Sequence, residues 1–336
     1  MIMLDIVVCT YNRAHSLDAV LTKLGQLTPC EGIGCRVLVV DNASTDTTAS
    51  VVDAHQRRGV LTHLRRVFAA ERGLTAARLR GVRETAAPWI AFVDDDNFLA
   101  TTWLHAVGEA IASHAGAGGI GGKVVLEWEI PPPRYLEEFG FCFAAQDHGD
   151  ADCVVDSLAG AGMVLRRSAL DESGWINRPL IADRIGRKLT SGGDVEMAQR
   201  VRAAGYELWF TPSAVLHHRI PANRMSRQYL FRINRELGAS SALLGLLTYE
   251  GDWATWQHDS RAQKRHWYAL AARGLRYALI RRKGLTSALA WSCFASGFAR
   301  GIRQCETLDG ARRAELLGAA ALSQHQTISR CGSVGR

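Results

Sequence analysis

Trp89-Ile90-Ala91-Phe92-Val93-Asp94-Asp95-Asp96 is the stretch that decides the fold class. Five apolar residues in succession, too few for a helix and too uniform for a half-exposed strand, read as a strand buried on both faces that runs straight into three carboxylates. Upstream, Ile6-Val7-Val8-Cys9, Arg36-Val37-Leu38-Val39-Val40 and residues 64–68 repeat the short apolar pattern. Helical spacing separates these runs. Leu17, Val20, Leu21 and Leu24 mark a helix over residues 17–27 capped by Ser16, and Ser44 and Thr45 introduce a second near 47–58. A third is expected over 75–85. Strands alternating with helices predict an α/β fold, a parallel sheet covered on both faces. Such sheets bind ligands at the carboxyl ends of their strands. The polar clusters Thr10 to Arg13, Asp41-Asn42 and Asp94 to Asn97 all fall there.

The pattern loosens after Pro131-Pro132-Pro133. Gly160-Ala161-Gly162 leads into a strand at Met163-Val164-Leu165. Gly192-Gly193-Asp194 opens a helix over residues 195–204, which Gly205 stops. Glu207 to Phe210 form a strand, and Pro212 separates it from Val215-Leu216-His217-His218. From Met225 onward the chain reads as helical and basic. No internal repeat or low-complexity tract is present.

The 336 residues suffice for one large domain or for a domain with an appendage. Hydrophobic residues at 47% and charged residues at 22% give an ordinary globular balance, so disorder is not the default reading. The net charge of +7 is unevenly placed: 18 Lys+Arg against 7 Asp+Glu from residue 221 onward leave 22 against 26 before it. A basic tail suits an anionic partner such as a membrane surface, or a solvated helical face. The eight cysteines, Cys331 included, show neither a CxxC nor a zinc spacing, and Cys9 sits in a strand pattern as a buried thiol. A reducing cytosol is the expected setting. The N-terminal apolar run is short and carries Asp5, so no signal peptide is expected. The uncharged stretch 284–299 falls short of the roughly 20 residues that span a bilayer.

Each polar cluster has its own chemistry. Three adjacent carboxylates repel one another unless a cation compensates, and Mg²⁺ or Mn²⁺ also bridges phosphates. In extended chain Asp94 and Asp96 share a face, while Asp95 takes another partner; the plain alternative is an exposed acidic turn. Asp41-Asn42 suits a base N–H or a ribose hydroxyl, or else an Asx-turn. Asp194 suits a general base, or else a helix cap. His217-His218 offers an imidazole ligand to a metal, or else a structural histidine.

Taken in order, Val7-Val8-Cys9-Thr10-Tyr11-Asn12-Arg13, Val39-Val40-Asp41-Asn42-Ala43-Ser44-Thr45-Asp46, Glu71-Arg72-Gly73-Leu74 with Ala77-Arg78, Phe92-Val93-Asp94-Asp95-Asp96, and Gly192-Gly193-Asp194-Val195-Glu196 with Arg200 and Gly205-Tyr206 resemble the family 2 glycosyltransferases over about residues 4–220. The resemblance implies a GT-A-type, Rossmann-like, mostly parallel sheet with helices on both faces, plus a C-terminal helical extension. It implies a catalytic domain over 1–222, with a nucleotide-binding half at 1–97 and an acceptor and metal half at 98–222, before a basic helical region at 223–336. It further implies a donor pocket of Thr10, Tyr11, Asn12, Arg13, Asp41, Asn42, Arg78, Asp94 and Asp95. Asp96 and His217 would hold Mn²⁺ or Mg²⁺, with His218 in reserve, and Asp194 would be the catalytic base. The donor expected is a nucleotide-sugar, a UDP-sugar first, and the acceptor a saccharide or lipid-linked saccharide.

Departures from the family pattern are instructive. Gly193 stands where a Glu is usual, and Leu79 where an Asn often follows the arginine. Gln263-Lys264-Arg265-His266-Trp267 has His where the QxxRW signature of processive synthases has Arg, so transfer of one or a few sugars is expected. A nucleotidyltransferase would carry a Gly-rich loop after the first strand, and Thr10 to Arg13 has none. A non-catalytic scaffold would not need Asp41, Asp96 and Asp194. No aromatic and basic nucleic-acid motif is legible, so no nucleic-acid partner is expected. In the tail, Trp267, Leu270, Ala271, Gly274, Leu275 and Ala278 share one helical face opposite Arg273 and Arg276, closed by Arg281-Arg282-Lys283. Such a helix lies on a membrane interface or packs against the catalytic domain. The expected location is cytoplasmic, with peripheral attachment to the inner face of the membrane.

Overall fold

The computed structural model describes residues 1–185, 189–282 and 284–317; Lys283 and Cys331 lie outside them. Strand β1 (Ile2–Thr10) runs between β2 (Ile33–Asp41) and β4 (Trp89–Asp94), parallel to both, with β3 (Leu64–Phe68) parallel on the far side of β2. Past β4 the sheet changes direction. There β8 (Met163–Arg166) pairs antiparallel with β4 and β6 (Ala117–Trp128), and β6 pairs parallel with β9 (Glu207–Ile220). Short strands β5 (Asn97–Leu99) and β7 (Cys153–Val154) run antiparallel to β9. The sheet is therefore mostly parallel in its first half and mixed in its second. Its register matters for function: Cys9 pairs with Asp94 and Thr10 with Asp41, so three polar strand ends lie level.

Side-chain alternation along β1 feeds two cores. Leu4, Ile6 and Val8 face α1 (Ala14–Leu24), α2 (Thr48–Arg58) and α4 (Trp103–Ser113), and Val7 and Cys9 face α3 (Leu74–Arg83), α5 (Arg167–Glu172) and α6 (Gly193–Ala203). On α1 the buried face is Ala14, Leu17, Val20, Leu21 and Leu24. Each large aliphatic there contributes about 1.5–3 kcal/mol. This helix begins two residues before the expected Ser16 cap. Asp46, from the next loop, accepts the Ala14 and Thr48 amides at 3.0 and 3.1 Å, so one carboxylate caps both α1 and α2.

Two sequence expectations change. The strand pieces on either side of Pro212 are one 14-residue strand, β9. Pro212 has no N–H to give a ladder, and the pairing with β6 slips between Gly122 and Val124, where Thr211 and Leu216 are the successive partners. After the three prolines comes a 3₁₀ segment, Arg134–Phe143.

Helices α7 (Arg227–Leu247), α8 (Trp253–Arg281) and α9 (Leu285–Thr307) complete the chain. Leu230 and Ile233 of α7 and Ala290 of α9 share a core with Leu136, Phe139, Phe143 and Ile220 of β9, so this region is packed onto the sheet. Among the described residues no helix is long and apolar enough to cross a membrane. Helices α7 and α9 meet backbone to backbone. A Cβ on Gly238 would overlap the Phe294 carbonyl, and one on Gly297 the Arg235 carbonyl. Gly297→Leu should therefore part the two helices and lower the unfolding free energy by about 1–3 kcal/mol, read from urea transitions by tryptophan fluorescence. An unchanged midpoint would mean that the close approach does not hold this region in place.

Candidate active site

A cleft of about 670 Å³ opens at the carboxyl ends of β1 and β4, a size that suits a small organic ligand. Its floor is the Asp94-Asp95-Asp96 cluster, and guanidinium groups compensate the charge. Arg13 Nη1 bridges Asp95 Oδ1 and Asp96 Oδ2, both at 2.8 Å, and Arg224 Nη1 reaches the same Asp96 oxygen at 3.1 Å. The Thr10 hydroxyl donates to Asp95 Oδ2 at 2.8 Å. Arg78, buried over the Phe92 ring, lies 3.7 Å from Asp94 and 3.5 Å from Asp183. Burial pushes the Asp95 carboxyl up to about 6 despite Arg13. Burial also works against ionised Asp96, but the His218 hydrogen bond and the charges of Arg224, His218 and Arg13 outweigh it and hold that carboxyl well below the usual range. Asp94, a third exposed, is left facing the cleft.

Across the cleft stands Asp194, in the first turn of α6 after Gly192, whose φ of 119° favours glycine. Its Oδ2 accepts the Gly160 amide at 2.8 Å and its Oδ1 accepts the Val195 amide at 2.9 Å. Gly160 is tight: a Cβ there would sit 2.7 Å from Asp194 Cβ and 3.0 Å from Arg78 Nη2. Beside Asp194 lies Asp183, whose Oδ1 accepts the Gly193 amide at 3.0 Å. A side chain at position 193 would overlap the Asp183 carboxylate. Glycine there, where the resemblance leads one to expect Glu, thus accompanies a carboxylate delivered from residue 183. Glu196 holds that segment by accepting the Leu180 and Ile181 amides at 2.7 and 2.8 Å while paired with Arg200 at 2.8 Å.

The structure brings Thr10, Tyr11, Arg13, Asn42, Arg78, Asp94, Asp95, Asp96 and Asp194 to the cleft wall. It places three expected residues elsewhere. Asn12, at φ 51°, accepts the Thr45 amide on its side-chain oxygen at 2.7 Å and donates its own backbone N–H to the Ser44 hydroxyl at 3.0 Å, which ties two loops together. Asp41 accepts the Ser44 amide at 3.0 Å and pairs with Arg66 at 3.3 Å, so it makes the Asx-type turn and sits behind the wall. His217 pairs with Phe98 in the ladder and points away from the cleft, whereas His218 points into it. The Nδ1–H of His218 donates to the Phe143 carbonyl at 2.7 Å, which turns Nε2 toward Asp96 Oδ1 at 3.4 Å. That is the orientation an imidazole ligand needs, so Asp96 and His218 fit a hard divalent cation as an oxygen and nitrogen pair. Among the described residues no group of three His, Cys, Asp or Glu is assembled that could hold a metal ion.

Sequence reasoning did not find Arg224, Asp183 or Gly160 as site residues. Arg224 lies beyond the expected boundary at 222, and Tyr229 of α7 also lines the cleft. Asp183 sits in irregular chain with no motif to flag it. Burial pushes the Asp183 carboxyl up to about 7, with Arg78 opposing and Asp194 adding, from 3.8 as the ordinary value. Between about 4 and about 7 the folded chain then holds a proton that the unfolded chain has released, so this group's contribution to stability falls as pH rises through that window. Asp183→Asn removes the effect. The urea midpoint of the variant minus that of the wild type should rise from pH 4 to pH 7 and stay level above; a difference that does not move with pH would refute the burial cause.

The family described as Glycosyl transferase family 2 matches residues 5–174. The succinoglycan biosynthesis protein ExoM of Rhizobium meliloti (strain 1021) is 25% identical over 233 residues, 68% of this chain and 70% of that protein. A validoxylamine A glucosyltransferase of Streptomyces hygroscopicus subsp. jinggangensis (strain 5008) is 36% identical over 127 residues, 37% of this chain and 28% of its own. Among solved structures, the mannosyltransferase PcManGT from Pyrobaculum calidifontis in complex with GDP-Man and Mn²⁺ superposes with a TM-score of 0.57 at 19% identity, over 96% of this chain and 86% of that one. S. aureus TarS 1-349 in complex with UDP-GlcNAc does so with 0.52 at 15%, over 97% and 89%. These neighbours share the fold. The family match over half the chain shows that the protein belongs to glycosyltransferase family 2.

Proposed function

We propose that this glycosyltransferase moves a sugar from a nucleoside diphosphate donor to an acceptor hydroxyl in one inverting displacement, one or a few sugars at a time, in the building of an envelope polysaccharide or glycolipid. The observation that carries the reading is Asp194, held by two backbone amides across the cleft from Asp94, Asp95 and Asp96. The donor lies between them, its diphosphate toward the arginine-rich floor and its base beside Tyr11, over whose ring the Arg72 guanidinium stands at 5.3 Å. Asp194 takes the proton of the acceptor hydroxyl as that oxygen bonds to the anomeric carbon. The bond from that carbon to the phosphate oxygen breaks, and the nucleoside diphosphate leaves with the electron pair. Arg13, Arg78 and Arg224 oppose the charge that grows on it. Asp96 and His218 are the residues for Mn²⁺ or Mg²⁺, which when bound supplies further charge to the leaving diphosphate. Support for a nucleotide-sugar comes from the fold neighbours solved with UDP-GlcNAc and GDP-Man, and support for polysaccharide assembly from the likeness to ExoM. A UDP-sugar is the first donor to try.

The test is a panel of UDP-, GDP- and TDP-sugars scored for transfer and hydrolysis with and without Mn²⁺. One donor should be used and one metal should stimulate. Asp194→Asn should lower kcat by about 10²- to 10⁴-fold with donor binding retained. His218→Ala should abolish metal stimulation and His217→Ala leave it intact. Full transfer by the Asp194 variant would remove that residue as base.

Gly160→Ala tests the placement of Asp194 without touching its chemistry. The added methyl meets Asp194 and Arg78, and a shift of about 1 Å at a reacting group costs on the order of 10²-fold in rate. Steady-state kinetics should show kcat down by about 10- to 100-fold in protein that still unfolds cooperatively in urea; wild-type kcat would mean that Gly160 does not set the position of the base.

A further inference from the structure

Between Asp259 and Glu306 the chain carries no Asp or Glu and 10 Lys or Arg. This span is most of α8, its turn and nearly all of α9. Where α8 turns into α9, large apolar side chains stand in water: Tyr277, Leu279, Ile280, Leu285 and Leu289, with Leu279 and Ile280 70% and 69% exposed. Single exposed apolar residues are ordinary on a protein surface. Five within thirteen positions, interleaved with Arg276, Arg281 and Arg282, are not.

The apolar surface continues inward. A groove of about 280 Å³ between α8 and α9 is lined by Trp267, Leu270, Ala271, Gly274, Ala288 and Trp291. Trp291 stacks on Phe141 at 5.9 Å, and Phe141 is on the cleft wall. From Trp267 to Ile280 the helix runs roughly 20 Å. The hairpin tip and the cleft are therefore the two ends of one apolar track. A nucleic acid would satisfy the arginines and leave Leu279 and Ile280 in water. A bilayer of anionic lipid satisfies both, with cations among the headgroups and aliphatic and aromatic side chains at the acyl boundary.

We propose that the α8–α9 hairpin seats this enzyme on an anionic bilayer, tip down, so that the cleft receives an acceptor sugar carried on a membrane lipid. Only the acceptor half rests on the sugar-transfer reading; the seating stands on the hairpin alone.

The experiment is flotation of the full chain with vesicles of phosphatidylcholine alone or mixed with phosphatidylglycerol. The wild type should float with the anionic vesicles and stay down with the neutral ones. Raising salt from about 0.1 M to about 1 M, which shortens screening from about 10 Å to about 3 Å, should release it. Leu279→Glu with Ile280→Glu should cut the bound fraction about tenfold, since each puts a charge where an acyl contact was. A second variant, Arg273→Gln with Arg276→Gln and Arg281→Gln, keeps the apolar tip and should lose the preference for anionic vesicles. Both sets lie far from the cleft, so donor hydrolysis in solution should match the wild type. Wild-type protein that never floats, or a double glutamate variant that floats as well as wild type, overturns the seat. Hydrolysis lost throughout with flotation intact counts against the sugar-transfer reading instead.

Discussion

Three carboxylates at the end of one buried strand repel each other, and the rest of the site is arranged around relieving that repulsion. Asp95 and Asp96 are nearly sealed from water, where an unpaired charge is costly. The relief comes from far along the chain: Arg13 from the loop after β1, Arg78 from α3, and Arg224 from just past β9. Each tether carries its element to the same point. The floor of the cleft is thus a knot of opposite charges, and the anionic donor proposed above would meet guanidinium groups already held in place by carboxylates. Positioned charge of this kind does not have to reorganise as a leaving group develops its own.

The register of the first four strands explains why so much of this was legible in the sequence. Parallel strands buried on both faces are written as unbroken apolar runs, and their ends are marked by the first polar residue. Thr10, Asp41 and Asp94 are such residues, and the ladder sets them level. The second half of the sheet resists the same reading. Beyond β4 the strands run antiparallel or mixed, and β9 slips its register around Pro212. Side-chain parity cannot be counted through a slip of that kind, because one extra residue turns every later side chain to the opposite face. That is why a choice between His217 and His218 could not be made from the strand pattern. Asn12 and Asp41 lie off the cleft wall for a different reason. Short polar side chains at strand ends serve loops as readily as ligands, and here they bond to Ser44 and Thr45.

Asp183, Gly160 and Arg224 share a property that hides them from a sequence reading. Each acts through contacts with residues at least ten positions away, among them Gly193 for Asp183, Asp194 for Gly160 and Asp96 for Arg224. None lies in a periodic segment. The missing Glu at position 193 was visible, but its meaning was not, since it depends on a carboxylate arriving from residue 183. Thr75 fixes that arrival: its hydroxyl donates to the Ile181 carbonyl at 3.0 Å and accepts the Asp183 amide at 2.9 Å. Segment 180–184 is therefore stitched between α3 and α6, and the carboxylate has little freedom to move.

The basic C-terminal region reads differently once its contacts are known. Part of its charge is spent inside the fold, Arg224 on Asp96 and Arg300 on Glu236 at 2.7 Å. Gly238, Gly297 and Gly301 let α7 and α9 touch through their backbones, and this closeness carries Trp291 onto Phe141 at the cleft wall. Helix α8 has no comparable partner; it packs along α9 and buries only Trp256, Ser260, Ala271 and Ala278. A helix of 29 residues with so narrow a buried stripe leaves most of its surface to water or to something else. The helix core joined to the sheet explains α7 and the inner part of α9. It does not account for the arginines and aliphatic side chains at the outer end of α8, where Leu279 and Ile280 are mostly exposed.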